Sequence, residues 1–89
     1  MNSASTPKYI KGQKVKIIPV KNKLLRSKYP RVQEYTSIIG TVVESYWIRF
    51  EDENLIENHY CYAIRPAEVT LGPSEILVPE EALEPSGSV

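Results

Sequence analysis

The sequence predicts an all-β fold, a small barrel of about five short strands with a long first loop and one short helical turn near the C-terminus. Short runs that alternate apolar and polar residues, or are rich in β-branched residues, are separated by turn-forming residues. No segment has a helical hydrophobic period, and 89 residues are too few for a second domain with its own core. A closed sheet is favoured because it leaves few strand edges exposed.

The two ends of the chain are small and polar. Residues 1–7 (MNSASTP) predict a flexible lead-in and residues 86–89 (SGSV) a flexible tail, so the domain is expected over residues 8–85. No apolar run precedes the first lysines, and no stretch approaches the roughly 18 apolar residues of a membrane span. Because a single cysteine cannot form an intrachain disulfide, the expected location is the cytoplasm.

The first strand is predicted in KVKI, where lysines alternate with Val15 and Ile17 and the two apolar side chains face the core. Pro19 cannot donate a ladder hydrogen bond, so the strand ends there or runs along an edge. Residues 21–37 (KNKLLRSKYPRVQEYTS) follow without a clear helix or strand period. Because Pro30 interrupts any helix of useful length, this segment is predicted to be a long loop.

The central strands are predicted from β-branched and aromatic runs. Residues 37–50 contain SIIGTVVES and YWIRF with no turn signal between them, which indicates one strongly bent strand. Gly40 marks a bulge or a close approach of another backbone. The acidic EDEN, residues 51–54, is the predicted turn, and HYCYAIR, residues 59–65, is the next strand.

The last third of the chain predicts two short strands and a helical turn. AEVTL (residues 67–71) and EILV (residues 75–78) are strand-like runs separated by the turn-forming GPS. In VPEEALEP, residues 78–85, one proline can begin a helical turn and the other must end it.

The charges are unevenly distributed along the chain. Residues 1–31 contain nine Lys or Arg and no acid, whereas residues 32–89 contain two basic residues and eleven acids. Such asymmetry can indicate a basic face for nucleic acid, an anionic membrane or an acidic protein. The alternative is that lysines of the first strand lie opposite glutamates of a neighbouring strand, where opposite charges are mildly favourable.

Catalytic and metal signatures are weak. His59 and Cys61 share one face of a strand and could form a nucleophile pair, but a lone cysteine in a strand is usually a small buried hydrophobe. Two of the acids Glu51, Asp52, Glu53 and Glu57 could pair as general acid and base, but an acidic run in a turn is typical of a solvated surface. One Cys and one His do not supply a zinc site, and the four glycines are too scattered for a phosphate-binding loop. We therefore predict no enzyme activity, no cofactor and no metal.

The motifs KGQKVKII, IGTVV, YCYAIRP and ILVPEEALEP, with the long loop after the first, resemble SH3-like β-barrels of the electron-transport accessory type. That group includes the small peripheral subunit of photosystem I, the variable chain of ferredoxin-thioredoxin reductase and the barrel domain of the nitrile hydratase β-subunit. The resemblance spans about residues 11–85. It implies a docking subunit without chemistry of its own, which holds an enzyme or an acidic electron carrier through Lys23, Arg26, Lys28 and Arg31.

Protein docking is the function predicted for the long loop, as an accessory module that binds an acidic partner or a larger enzyme complex. Arginine and tyrosine are enriched at binding hot spots, and cations steer an acidic partner. The predicted contact residues are Lys21, Lys23, Arg26, Lys28, Tyr29, Arg31 and Tyr35. A purely structural interpretation is that Leu24 or Leu25 caps the barrel, Tyr29 and Pro30 pack on its wall, and the cations only keep the loop solvated.

The alternative function is binding of single-stranded nucleic acid, as in KOW-type SH3-like domains. The cations could neutralise phosphates while Tyr29, Tyr35 and Trp47 stack on bases. A net charge of zero and the acidic second half of the chain argue against a long polyanion as ligand.

Overall fold

The described part of the chain is an antiparallel sheet. The computed structural model describes residues 6–68, 72 and 74–86. Five strands are present there: β1 (Lys14–Ile17), β2 (Ile39–Asp52), β3 (Leu55–Pro66), β4 (Ile76–Pro79) and β5 (Leu83–Pro85). They form one sheet in the order β4-β3-β2-β1-β5, which confirms the predicted all-β class and number of strands.

The sheet curls, which brings the end of β4 near the start of β5. β4 and β5 are at opposite ends of the hydrogen-bonded order, yet only the 3₁₀ turn η2 (Glu80–Ala82) separates them in the chain. A link of this length spans about 14 Å at most, whereas four strand spacings in a flat sheet measure about 19 Å. The strands therefore cannot lie flat, and η2 is the helical turn predicted near the C-terminus.

β2 is one long bent strand, as predicted. Its pairing with β3 shifts register between Val42 and Glu44, which bends the strand. Gly40 lies at a close approach of two backbones, because a Cβ atom there would be 2.6 Å from Ile64 Cγ2 and 2.7 Å from the Arg65 carbonyl oxygen. The sequence correctly indicated a constraint at this glycine, while the irregularity in pairing falls three residues later.

The core fills the inside of the curled sheet. Val15 and Ile17 are fully buried, as predicted for β1. Tyr9 precedes β1 and packs edge-on against Tyr62 of β3, with ring centroids 5.5 Å apart. The Tyr9 hydroxyl donates to the Leu83 carbonyl at 2.9 Å, so the segment before β1 is fixed to both β3 and β5.

A long connection between β1 and β2 is present, as predicted, but the expectation that residues 21–37 contain no helix is wrong. The segment contains the helix α1 (Lys23–Lys28) and the 3₁₀ helix η1 (Pro30–Tyr35). α1 forms because Asn22 caps it: Oδ1 accepts from the backbone N–H groups of Leu24 at 2.8 Å and Leu25 at 3.2 Å. Pro30 begins η1 instead of breaking a helix.

The two leucines of α1 are both buried, so this part of the structural interpretation of the segment is confirmed. Adjacent leucines do not follow a helical period, but a helix of six residues is short enough for both side chains to reach the core. The segment is therefore an ordered wall of the domain, with its cations on the outer side.

The structure and the prediction assign the fifth strand to different segments of the C-terminal part. Of the predicted strand at residues 67–71, Ala67 and Glu68 form a bend and residues 69–71 lie outside the described residues. β5 takes its place in the strand count. The turn between β2 and β3 is narrower than EDEN and consists of Glu53 and Asn54. The predicted flexible ends fall mainly on residues 1–5 and 87–89, which the structure does not describe.

In the part of the chain that the structure describes, no helix has the length and apolar character needed to cross a membrane.

Candidate functional site

A groove of about 340 Å³ lies between η1 and β4. We call it the η1–β4 groove. Four of the seven predicted contact residues line it: Lys28, Tyr29, Arg31 and Tyr35. The opposite wall is apolar and is formed by Ile76 and Leu77 of β4. The structure thus brings together the second half of the predicted contact surface and adds a wall from a distant part of the sequence.

Local backbone geometry places the groove. α1 ends where the backbone N–H of Tyr29 donates to the Leu25 carbonyl at 2.8 Å, and Pro30 then starts η1 in a new direction. Val32 of η1 is buried and anchors the 3₁₀ helix to the core. β4 pairs with β3 and ends the order of strands, so one edge of β4 is left without a strand among the described residues.

Tyr29 points into the domain. Its hydroxyl donates to Cys61 Sγ at 3.7 Å, and its ring meets Phe50 edge-on at 5.7 Å between centroids. Burial raises the pKa of the Tyr29 phenol well above its ordinary value of 10.0. Tyr29 therefore lines the groove, while its hydroxyl is used inside the fold.

The cations of the groove are available to a ligand. Lys28 is exposed and makes no ion pair with any described residue. Arg31 Nη2 is 3.9 Å from Glu34 Oε1, and both side chains are largely exposed, so this pair contributes little. The acid on the groove wall, Glu75, accepts a hydrogen bond from Arg65 Nη2 at 3.3 Å. The unbalanced charge at the groove is therefore positive.

The other three predicted contact residues do not line the groove. The guanidinium of Arg26 donates to the Val20 carbonyl through Nε at 3.3 Å and Nη2 at 3.0 Å, which ties α1 to the preceding segment. The backbone N–H of Lys21 donates to Glu81 Oε2 at 2.7 Å. Lys23 is exposed at the start of α1. Lys23 and Arg26 belong to α1 and Lys21 precedes it, and none of the three lines the groove.

Lysines before and within β1 fit the alternative interpretation of the charge pattern. Lys16 lies across from Glu84 of β5 in the sheet register, and Lys11 Nζ is 4.0 Å from Glu44 Oε1. Opposite charges on neighbouring strands thus account for part of the basic first half. They do not account for Lys28, which lies outside the sheet.

The contacts of Cys61 and His59 do not suit a nucleophile. Cys61 is fully buried, and burial raises the pKa of its thiol, which disfavours the reactive thiolate. His59 Nε2 lies 2.6 Å from Glu57 Oε1, and this contact lowers the pKa of Glu57. Among the described residues, no three His, Cys, Asp or Glu side chains gather where they could hold a metal ion.

The aromatic residues proposed to stack on bases are not arranged for that purpose. The Tyr29 hydroxyl contacts Cys61, as described above, and Trp47 lines a second pocket that shares no residue with the groove. That pocket also contains Glu80 and Glu81. Carboxylates beside Trp47 disfavour a phosphate backbone at that pocket.

The sequence did not indicate this second pocket, because its aromatic pair is formed by strand register: Trp47 of β2 lies directly across from Tyr60 of β3. Likewise, the apolar wall of the groove depends on where β4 lies, which no local pattern specifies. The available signals were the exposed aromatic positions of YWIRF and the apolar EILV run.

Comparison of the chain with protein-family models, with curated proteins and with solved structures gave no match. The resemblance to SH3-like accessory barrels accordingly stays a prediction from the sequence motifs.

Proposed function

We propose that this protein is a non-catalytic docking module whose η1–β4 groove binds an acidic segment of a protein partner. The observation that carries the proposal is the combination of two available cations, Lys28 and Arg31, with the apolar wall of Ile76 and Leu77. The apolar wall favours burial of an aliphatic or aromatic side chain, and the cations select neighbouring carboxylates.

The shape of the site favours an extended segment. β4 is the last strand of the sheet order, and an extended peptide commonly binds along a strand edge, where main-chain hydrogen bonds add to side-chain contacts. The partner class suggested by the resemblance is an acidic enzyme subunit or electron carrier. Such a partner would present carboxylates on both sides of one apolar side chain.

A displayed library of random peptides tests the proposal without a known partner. We expect selection on the immobilised protein to enrich peptides that combine Asp or Glu with one aromatic or aliphatic residue. The double variant Lys28→Glu/Arg31→Glu should lose these peptides, because it reverses both cations of the groove.

The matched control is Lys14→Glu/Lys23→Glu, which changes the net charge by the same amount at two exposed lysines outside the groove. It should keep binding of the selected peptides within about twofold, since long-range charge effects at exposed sites are screened by salt. Selection without acidic enrichment, or an equal loss of binding in the control, would refute the proposal.

A further inference from the structure

A second pocket, of about 300 Å³, lies between the β2–β3 hairpin and η2. We call it the Trp47 pocket. The hairpin contributes Trp47, Asn58, His59 and Tyr60 to its lining. Glu80 and Glu81 line it from η2, and Lys8 completes the lining. It shares no lining residue with the η1–β4 groove, and the sign of its charge is the opposite.

The aromatic side of the pocket is a corner made by two rings. Trp47 and Tyr60 face each other across β2 and β3, with ring centroids 4.6 Å apart and planes inclined by 55°. Trp47, the only tryptophan of the chain, is 48% exposed although it is the largest apolar side chain. An inclined pair of rings offers electron-rich faces to a single ligand group.

The acidic side of the pocket is held in place by the fold. Glu80 Oε2 accepts from the backbone N–H of Lys8 at 3.0 Å and from the hydroxyl of Tyr62. Glu81 Oε2 accepts from the backbone N–H groups of Lys21 and Asn22, both at 2.7 Å. These contacts hold both carboxylates through Oε2, so two negative charges are fixed at this side of the pocket.

We infer that the Trp47 pocket binds an organic cation, an alkylammonium or guanidinium group. A cation is attracted to the face of an indole ring more strongly than to that of any other aromatic side chain. The fixed carboxylates add attraction for a positive ligand and repel anions. Lys8 does not occupy this position, because its Nζ lies over the ring of Tyr9, 5.6 Å from the centroid.

This inference goes beyond the proposed function, since it assigns a separate site with a different ligand class. The cation can come from a free small molecule or from a lysine or arginine side chain of a protein segment. Both present the same chemistry to the aromatic corner, so the experiment compares them directly.

The fluorescence of Trp47 is a direct probe because the chain has no other tryptophan. We expect choline and N-acetylarginine amide to produce a saturable change in its emission, whereas 3,3-dimethylbutanol, the neutral isostere of choline, should not. Peptides with a central trimethyllysine or arginine form a second arm. Tighter binding of a peptide than of its free cation identifies a protein segment as the source.

Variants separate attraction from simple contact. Glu81→Gln keeps an acceptor for the two N–H groups and removes one charge, so affinity for choline should fall about two- to fivefold, the size of an exposed charge pair. Lys8→Gln removes the nearest cation and should raise affinity. Trp47→Leu should abolish binding. Because this variant lacks the fluorescent residue, choline binding to it is measured by saturation-transfer NMR.

Tyr46→Leu is the matched control, because Tyr46 is 45% exposed and points to the opposite face of β2 from Trp47. It should leave choline binding unchanged. The groove variant Lys28→Glu/Arg31→Glu should also bind choline normally, because its expected loss of acidic peptides concerns the η1–β4 groove. The inference is overturned if no cation gives a saturable change, or if the neutral isostere binds as well as choline.

Discussion

The hydroxyl of Tyr29 donates to the Sγ atom of Cys61 across 3.7 Å, and this contact divides the basic segment into two parts. Tyr29 lies at the junction of α1 and η1, so the contact attaches this junction to β3. Lys28, the last residue of α1, and residues of η1 line the groove, whereas Lys23 and Arg26 of α1 do not. The groove therefore takes only part of the basic segment and adds the apolar residues Ile76 and Leu77.

Removing the Tyr29 hydroxyl should change the stability little at neutral pH and should clearly change how the stability falls at alkaline pH. The raised pKa of this phenol means that the folded state holds the proton more tightly than the unfolded chain. Its contribution is fully present below the unfolded pKa of about 10 and is lost as the pH rises above that value. The free energy of unfolding of Tyr29→Phe should therefore fall less steeply between about pH 10 and pH 11 than that of the wild-type protein.

The measurement is urea unfolding at a series of pH values. At neutral pH, Tyr29→Phe should change the free energy of unfolding by about 1 kcal/mol or less, because a sulfur acceptor is weak. Wild-type protein should lose stability above about pH 10, since burial also raises the pKa of Tyr62. Identical pH profiles for the two proteins would show that Tyr29 ionises as freely when folded as when unfolded.

Asn22 should be the residue on which α1 depends. Asn22→Ala removes the acceptor of the Leu24 and Leu25 N–H groups and should cost about 1 kcal/mol of unfolding free energy. Asn22→Ser should recover most of that loss, because serine caps a helix equally well. Chemical denaturation checks both variants. Equal destabilisation by Ala and Ser would point instead to the bond from Asn22 Nδ2 to Glu57 Oε1, 3.0 Å long.

Gly40 should tolerate no side chain. A Cβ atom would meet the Arg65 carbonyl oxygen at 2.7 Å, and because backbone cannot yield as a side chain does, β2 and β3 must separate. Gly40→Ala should lower the free energy of unfolding by about 1–3 kcal/mol, as overpacking does in cores. Thr41→Ala at the next position in β2 should change it much less. An unchanged midpoint for Gly40→Ala would mean that the strands are farther apart.

The sequence predicts much of the fold because β1, β2 and β3 each have a local residue pattern that is typical of strands. Val15 and Ile17 alternate with lysines, and Gly40 stands alone in a β-branched run. The helix α1 was missed because six residues are too few for a hydrophobic period, although the cap residue Asn22 was a usable signal. β5 was missed because three residues carry no pattern and the strand exists through its pairing with β1.

The candidate sites are less accessible to sequence reasoning. Proximity in the chain grouped Lys28 and Arg31 correctly, but the orientation of Tyr29 depends on Cys61, which lies 32 residues away. The bonds of Arg26 to the Val20 carbonyl likewise follow from the way α1 folds back. The sequence therefore shows which charged residues lie near each other in the chain. The direction of each side chain depends on contacts between distant segments, which the sequence does not show.

NMR mapping of a selected acidic peptide onto the labelled protein is the most direct test of the docking account. The account predicts that backbone amide shifts move at residues 28–35 and at Ile76 and Leu77, and that the shifts disappear with Lys28→Glu/Arg31→Glu. Shifts centred on Trp47 and η2, or spread evenly over the exposed lysines, would contradict it.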